Sequence, residues 1–414
     1  MSNQNRVYLL GAGVNQSINF QNNNREIYHP PMSRNFFRIA LCMDDYISHY
    51  YDSECDDVRE YIYKYWKMER TDLIADGLDL EELFTLLQLQ RMDADKTGNL
   101  EKSEELNQVA SKLFNLLISV LKNFKWANFS SSFLKFGKVI YKEKPTVITF
   151  NYDDFIERAI EHASGRRDND IDTSMMFPNQ GSSNRSQVIT NSEWNWNRPL
   201  AYGIKFDDVM LYDNASGPSR EKFFDGHEFY SHNKVYGWNI LKLHGSLNWW
   251  RFTKFSPNTY FLSAEEIARR YDLNRNKISL QERDIMPGST TFTLKEQLYV
   301  EPTIITPELH KDYFYQEQHV YDKVFRILWA KAREVLSGCE SLVIIGYSFP
   351  PTDFYTKKLF LESFSDANKL KEIIVVNPDD RLPELAGQLC HYEKIKHFKY
   401  LEEFVDSCSQ SGSV

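Results

Sequence analysis

Short, almost wholly apolar runs that stop abruptly at small polar residues constrain this chain more than any other feature. Arg6-Val-Tyr-Leu-Leu10 stops at Gly11-Ala-Gly13, and Pro145-Thr-Val-Ile-Thr-Phe150 at Asn151-Tyr-Asp153. Ile240-Leu-Lys-Leu243 stops at His244-Gly-Ser246, Leu342-Val-Ile-Ile345 at Gly346-Tyr-Ser348, and Ile373-Ile-Val-Val376 at Asn377-Pro-Asp379. Runs this short, bounded by turn formers, read as buried strands. Thr303-Ile-Ile305 reads as a further strand, and helical segments over 316–337 and 353–365 separate the last three runs. Strands alternating with helices imply parallel pairing and right-handed crossovers. The expected class is α/β, with a Rossmann-like parallel sheet.

The remaining sequence reads as additions to that core. From about Phe36 to Phe136 apolar residues recur at helical spacing, as in Leu80, Leu83, Phe84, Leu87 and Leu113, Leu116, Leu117, Val120, Leu121. Residues 165–237 are rich in Asn, Ser, Asp and Gly. The organisation expected is a core of 1–31 and 141–406, a helical insertion at 32–140, and a loop-rich insertion at 165–237 within the core. The polar tail after Asp406 reads as frayed.

Composition removes several function classes. Apolar residues at 42 % and charged residues at 26 % of 414 argue against a disordered or fibrous chain. The net charge of −9, with no long basic run, disfavours direct nucleic-acid binding. No apolar run approaches the roughly 18 residues of a membrane span, and Met1-Ser-Asn-Gln-Asn-Arg6 holds no secretory h-region. The expected location is the cytoplasm. Five cysteines (Cys42, Cys55, Cys339, Cys390, Cys408) without a Cys-x-x-Cys pair exclude a disulfide framework and a four-thiolate zinc site from the expectation. The aromatic content of 14 % reads as core packing or as a surface for assembly.

In an open parallel sheet, ligands sit at the carboxyl ends of the strands. Gly11-Ala12-Gly13 after the first run is either a phosphate-approaching turn or a simple tight turn; the dinucleotide fingerprint would want glycine where Gln16 stands. Asn151 and Asp153 can hold ribose hydroxyls or a water, or can cap the following helix. His244 is a proton acceptor at a ligand-facing strand end, or a structural histidine. Gly346, Ser348 and Asn377 read as diphosphate or ribose contacts, or as turns.

One further pattern lies in the helical insertion. Asp93-Ala-Asp95-Lys-Thr97-Gly98-Asn-Leu100-Glu-Lys-Ser-Glu104 matches much of a calcium loop: oxygens at positions 1, 3 and 5, glycine at 6, glutamate at 12. The competing reading is an ordinary helix–helix linker.

Taken in order, the five strand ends resemble the sirtuin fold family. Gly11-Ala12-Gly13, Thr149-Phe-Asn151-Tyr-Asp153, His244-Gly245, Gly346-Tyr-Ser348 and Asn377 follow its sequence of motifs. The match covers the α/β core and leaves out both insertions. The protein deacylases of the family carry two Cys-x-x-Cys pairs after the catalytic histidine, and this chain has none. Phe150-Asn-Tyr-Asp153, Lys242-Leu-His-Gly-Ser-Leu-Asn-Trp249 and Ile345-Gly-Tyr-Ser-Phe-Pro350 are more similar to bacterial sirtuin-like effectors of anti-phage defence that degrade NAD⁺. The resemblance implies NAD⁺ as substrate, no zinc, a homo-oligomer, and control by a HerA-type ATPase or, in another branch, a short Argonaute-type partner. It further implies His244 as general base, Asn151 as the group that positions water or ribose, and Asp153 on the nicotinamide ribose or carboxamide. Gly11, Ala12 and Gly13 would cradle the diphosphate, with Gly346 and Ser348 near phosphate and Asn377 on the adenosine ribose. The alternatives are a non-catalytic NAD or ADP-ribose sensor and a protein deacylase.

Overall fold

Strands without a polar face must be covered on both sides, so these apolar runs belong in the interior of a layered α/β structure. The computed structural model describes residues 5–21, 25–75, 77–124, 128–164, 196, 198–213, 220–232, 238–255, 278–281, 292–294, 298–307, 321–350, 353–365 and 369–410. Among these, six parallel strands form the central sheet: β1 (Arg6–Leu10), β2 (Thr146–Thr149), β3 (Ile240–Lys242), β4 (Ser341–Ile345), β5 (Glu372–Val376) and β6 (Ile395–Phe398). Their spatial order is β3-β2-β1-β4-β5-β6, with every pairing parallel. The direction of winding therefore reverses between β1 and β4, the place where doubly wound sheets open a crevice beyond their carboxyl ends.

Burial follows the apolar runs. Val7, Tyr8, Leu9, Val147, Ile148, Ile240, Leu241, Leu342, Val343 and Ile373 have no exposed surface. Each such aliphatic side chain contributes about 1.5–3 kcal/mol by leaving water. The sixth strand escapes a reading by apolar runs because the two middle positions of Ile395-Lys-His-Phe398 are polar, as an edge strand allows.

Close approach of the β1 and β4 ends is what the glycines there allow. Gly13 donates its N–H to the Gly346 carbonyl at 2.8 Å, and Gly11 donates to Ile345 at 3.0 Å. A Cβ on Gly11 would sit 2.6 Å from the Gly346 oxygen; one on Gly346, at φ +63°, would collide with the Val14 amide nitrogen. The tight-turn reading of Gly11-Ala-Gly13 is thus met by packing between two strand-end loops.

The helical insertion comprises α1 (Phe36–Cys42), α2 (Asp45–Glu54), α3 (Asp56–Trp66), α4 (Arg70–Ala75), α5 (Leu80–Thr97) and α6 (Leu100–Asn123). The periodic leucines Leu83, Leu87, Leu113, Leu116 and Leu117 lie buried along α5 and α6. The calcium-loop pattern is overturned here. Asp93 and Asp95 lie inside α5, which Gly98 ends at φ +70°, and Asn99 caps α6 by accepting from the Lys102 amide. Only Gly98-Asn99 separates the helices, and the Asp95 carboxylate accepts from Ser103 at 2.6 Å. Helical geometry disperses the oxygens that a twelve-residue loop would converge.

Two more helices, α7 (Ser131–Glu143) and α8 (Phe155–Ala163), pack together on the central sheet. A second six-stranded sheet was not anticipated. It runs in the order Phe292–Leu294, Leu298–Ile304, Gly245–Phe255, Ile278–Gln281, Asp208–Asp213, Arg220–Asp225. Thr303-Ile-Ile305, expected beside the core strands, instead contributes Thr303 and Ile304 to this sheet, antiparallel to Ser246 and Gly245. The insertion read as loop-rich holds two of its strands and the helix Gly226–His232, while 165–195, 197, 214–219 and 233–237 lie outside the described residues, as does the 316–320 part of an expected helix.

Candidate functional site

The parallel order brings all five polar strand ends to one edge of the central sheet. Beyond β2 the chain turns through Phe150-Asn151-Tyr152-Asp153-Asp154 and enters α8. Asn151 reaches sideways: its side-chain amide donates to the Gly11 carbonyl at 3.2 Å, and its main-chain N–H to Thr149 Oγ1 at 3.1 Å. The carboxamide is thereby held between the ends of β2 and β1.

Asp153 is almost fully buried. Its Oδ2 accepts from Asn15 Nδ2 at 2.7 Å, and its Oδ1 accepts from the Phe155 amide at 3.1 Å. The bond to Phe155 closes an Asx turn ahead of α8, whose N-cap position is Asp154, and the carboxylate keeps acceptor capacity beyond two bonds. Burial pushes its pKa up to about 6, against the pull of the Lys242 cation. Asn15, on the turn after β1, is missing from the sequence-derived set, since nothing local distinguishes it from a turn asparagine.

His244 follows β3, the neighbour of β2. It is 8 % exposed and packed among aromatic rings, with Phe150 at 5.1 Å and Tyr152 and Trp329 each at 6.4 Å between centroids. Trp329 Nε1 donates to the Leu243 carbonyl at 3.2 Å and the Ile305 amide to the His244 carbonyl at 2.9 Å, so the strand end is pinned from two sides; Tyr152 Oη in turn donates to the Ile305 carbonyl at 2.7 Å. Gly245 follows at φ +80°, and a Cβ there would strike the Thr303 carbonyl. This glycine is where the chain leaves the parallel sheet and enters the second one.

A cavity of about 170 Å³ opens beside these groups. Asn15, Asn151 and Asp153 bring polar groups to its lining, together with apolar residues of the helical insertion, among them Phe36, Leu117 and Phe124. That volume is about what one six-membered aromatic ring fills. His244, Gly11, Gly13, Gly346, Ser348 and Asn377 lie outside its lining. Ser348 is exposed, and the Asn377 side chain accepts from the Asp379 amide at 3.0 Å, closing a turn.

Behind the site lie charges that the motif reading missed. Arg198 is buried between Glu161, which it engages through two bonds of 2.7 and 2.8 Å, and Asp154 at 2.8 Å. Burial works to raise the Asp154 pKa, and the Arg198, Arg158 and Lys242 cations together outweigh it, holding that carboxyl below its ordinary value. Lys242 and Glu157, both without exposed surface, pair at 3.0 Å. One signal for this was legible: a lysine within the apolar run Ile240-Leu-Lys-Leu243 demands a buried partner.

No protein-family model matches the chain, and no curated protein matches it. Among the solved structures that are distantly similar, two illustrate the likeness. One is a crystal structure of a Sir2 homolog–NAD complex, at 12 % identity and a TM-score of 0.35, covering 73 % of this chain and 74 % of that one. The other is a histidine-to-tyrosine variant of Sir2 with a p53 peptide and NAD, at 11 % identity and a TM-score of 0.31, covering 98 % and 92 %. At this distance the likeness assigns no role to any residue here.

Proposed function

We propose that this chain binds NAD⁺ along the carboxyl edge of its central sheet and hydrolyses it to nicotinamide and ADP-ribose. In this reading it is a cytoplasmic, homo-oligomeric effector of anti-phage defence, regulated by a HerA-type ATPase partner. The observation that carries the reading is the Asn15–Asn151–Asp153 cluster on a ring-sized, largely apolar cavity, with His244 on the adjoining strand end. The ordered sirtuin-like motifs support NAD⁺ as the occupant.

The chemistry asks little of an acid. Nicotinamide leaves as a neutral molecule when the ribose C1′–N bond breaks, its electron pair returning to the pyridine nitrogen. The protein must strip water from the ring, hold the ribose, and deliver one water to C1′. The apolar wall serves the first need. Asn151 serves the second, and Asp153 accepts a hydrogen bond from the carboxamide or ribose. His244 takes the proton of the attacking water or of a ribose hydroxyl, as an imidazole can. Gly11, Ala12, Gly13, Gly346 and Ser348 then face the diphosphate and Asn377 the adenosine ribose.

The test is chromatography of NAD⁺ incubated with the purified protein, alone and with the HerA-type ATPase. Free nicotinamide and ADP-ribose are expected, and Asn151→Ala and His244→Ala each slow release by on the order of 10²–10⁴-fold while the chain stays folded by circular dichroism. Both variants working at the parental rate would refute the assignment. Saturable NAD⁺ binding without turnover, with and without the partner, would identify a sensor instead.

A further inference from the structure

Lys242 has no counterpart among the groups invoked so far, yet it lies two residues before His244 and touches the segment two residues after Asn151. It has no exposed surface. Its ammonium donates to the Asp153 carbonyl and, at 3.0 Å, to Glu157 Oε1. From Glu157 the contacts continue. Tyr202 Oη donates to the same carboxylate oxygen at 3.0 Å and accepts from Asn248 Nδ2 at 3.1 Å. Ser246 Oγ lies 2.5 Å from Asn248 Oδ1 and 3.1 Å from the Tyr152 carbonyl. The path therefore closes on itself: it begins at the Asp153 carbonyl and ends at the carbonyl just before it in the chain.

A buried ion pair is weak grounds for stability, because apolar residues of like volume often serve as well. What an apolar residue at 242 cannot supply is a donor to the Asp153 carbonyl. We propose that Lys242 is a positioning residue of the NAD⁺ site, its ammonium fastening the strand end that carries Asn151 and Asp153 to the strand that delivers His244. This rests on the hydrolase reading given above.

The same placement has an electrostatic consequence. The groups facing Asp153 are Asn15 from the turn after β1, the Phe155 amide and the Asp154 and Glu157 carboxylates from α8 and its cap, and Lys242 from β3. Burial raises the Asp153 pKa most; Lys242 opposes this, while Glu157 and Asp154 add to it. Removing the lysine charge and removing the glutamate charge must then move Asp153 in opposite directions, which loss of packing would not do.

The experiment uses the full chain with Lys242→Met, Lys242→Arg and Glu157→Gln. The Asp153 γ-carboxyl is followed by carbon-13 resonance against pH, its signal identified by its loss in Asp153→Asn. Lys242→Met moves the midpoint up by about one pH unit or more, Lys242→Arg restores it, and Glu157→Gln moves it down. In parallel, Lys242→Met lowers kcat by about 10²-fold with little change in KM, and Lys242→Arg recovers most of the loss. A midpoint unmoved in folded Lys242→Met overturns the proposal. Where that variant fails to fold, Lys242→Met with Glu157→Met removes both charges; parental kcat in the double variant overturns the proposal, and a persistent loss supports it. The carboxyl titration needs no substrate. A parent that releases no nicotinamide would thus sink the hydrolase reading while the titration still decides the coupling of Lys242 to Asp153.

Discussion

Replacing Asp153 by asparagine should strengthen the fold at neutral pH while it disables the site. The sign follows from where the proton resides. A carboxyl with a folded-state pKa near 6 and an ordinary value of 3.8 holds its proton more tightly when folded. Its contribution to stability is fully present below the ordinary value and is lost as pH rises through the folded one. The gap of about two pH units, at about 1.4 kcal/mol each, corresponds to about 3 kcal/mol given up between pH 4 and pH 6. The substituted carboxamide would stay neutral throughout, and its oxygen can still accept from the Phe155 amide, the partner of Asp153 at 3.1 Å. Urea unfolding of both proteins at half-unit steps from pH 4.5 to pH 8 measures the difference. Near pH 4.5 the two should be close; by pH 7.5 Asp153→Asn should be the more stable by up to about 3 kcal/mol, with nicotinamide release reduced by about 10²-fold. Parallel stability profiles would refute the argument, because they would mean that the buried carboxyl ionises without penalty. A variant less stable at every pH would show that the Asn15 bond outweighs the charge.

Three other outcomes follow from the same geometry. Arg198→Met leaves Asp154 and Glu161 buried without their cation, and should destabilise the chain by about 3–5 kcal/mol, read as a lowered urea midpoint; an unchanged midpoint would deny that this triad anchors α8. Gly346→Ala forces a side chain to φ +63° against the Val14 amide, and should remove about 2–4 kcal/mol in thermal unfolding, together with NAD⁺ binding. Calcium added to the apo protein should release no heat in titration calorimetry and leave the melting temperature unmoved, since Asp93 and Asp95 are spent along a helix; a saturable isotherm would reverse that reading.

Runs such as Leu342–Ile345 announce a strand by local physics alone, since a stretch with no polar face can be stable only where both faces are covered. The residues that end those runs were therefore identifiable as a set, and the alternation with helices was enough to imply parallel pairing. Periodicity likewise marked α5 and α6. Where polar residues interrupt the run, as in Ile395–Phe398, or where partners are far apart, as between Gly245–Phe255 and Leu298–Ile304, the local signal fades: the first two strands went unread, and only the Thr303–Ile304 end of the third was legible.

The amino-acid order by itself settled which side chains could do chemistry and roughly where along the chain the core strands fell. Only the assembled sheet decided which of them meet: that Asn15 bonds Asp153 across 138 positions, that Asn151 spans to Gly11 across 140, and that Lys242 bridges two strand ends. The physical reason is that propensity and hydrophobic patterning act over a few residues, whereas hydrogen bonds and fields inside a low-dielectric interior act across whatever the strand order has made adjacent. The same aspartate that reads as an ordinary helix cap in the sequence becomes, once buried opposite a lysine, a carboxyl poised to titrate near pH 6.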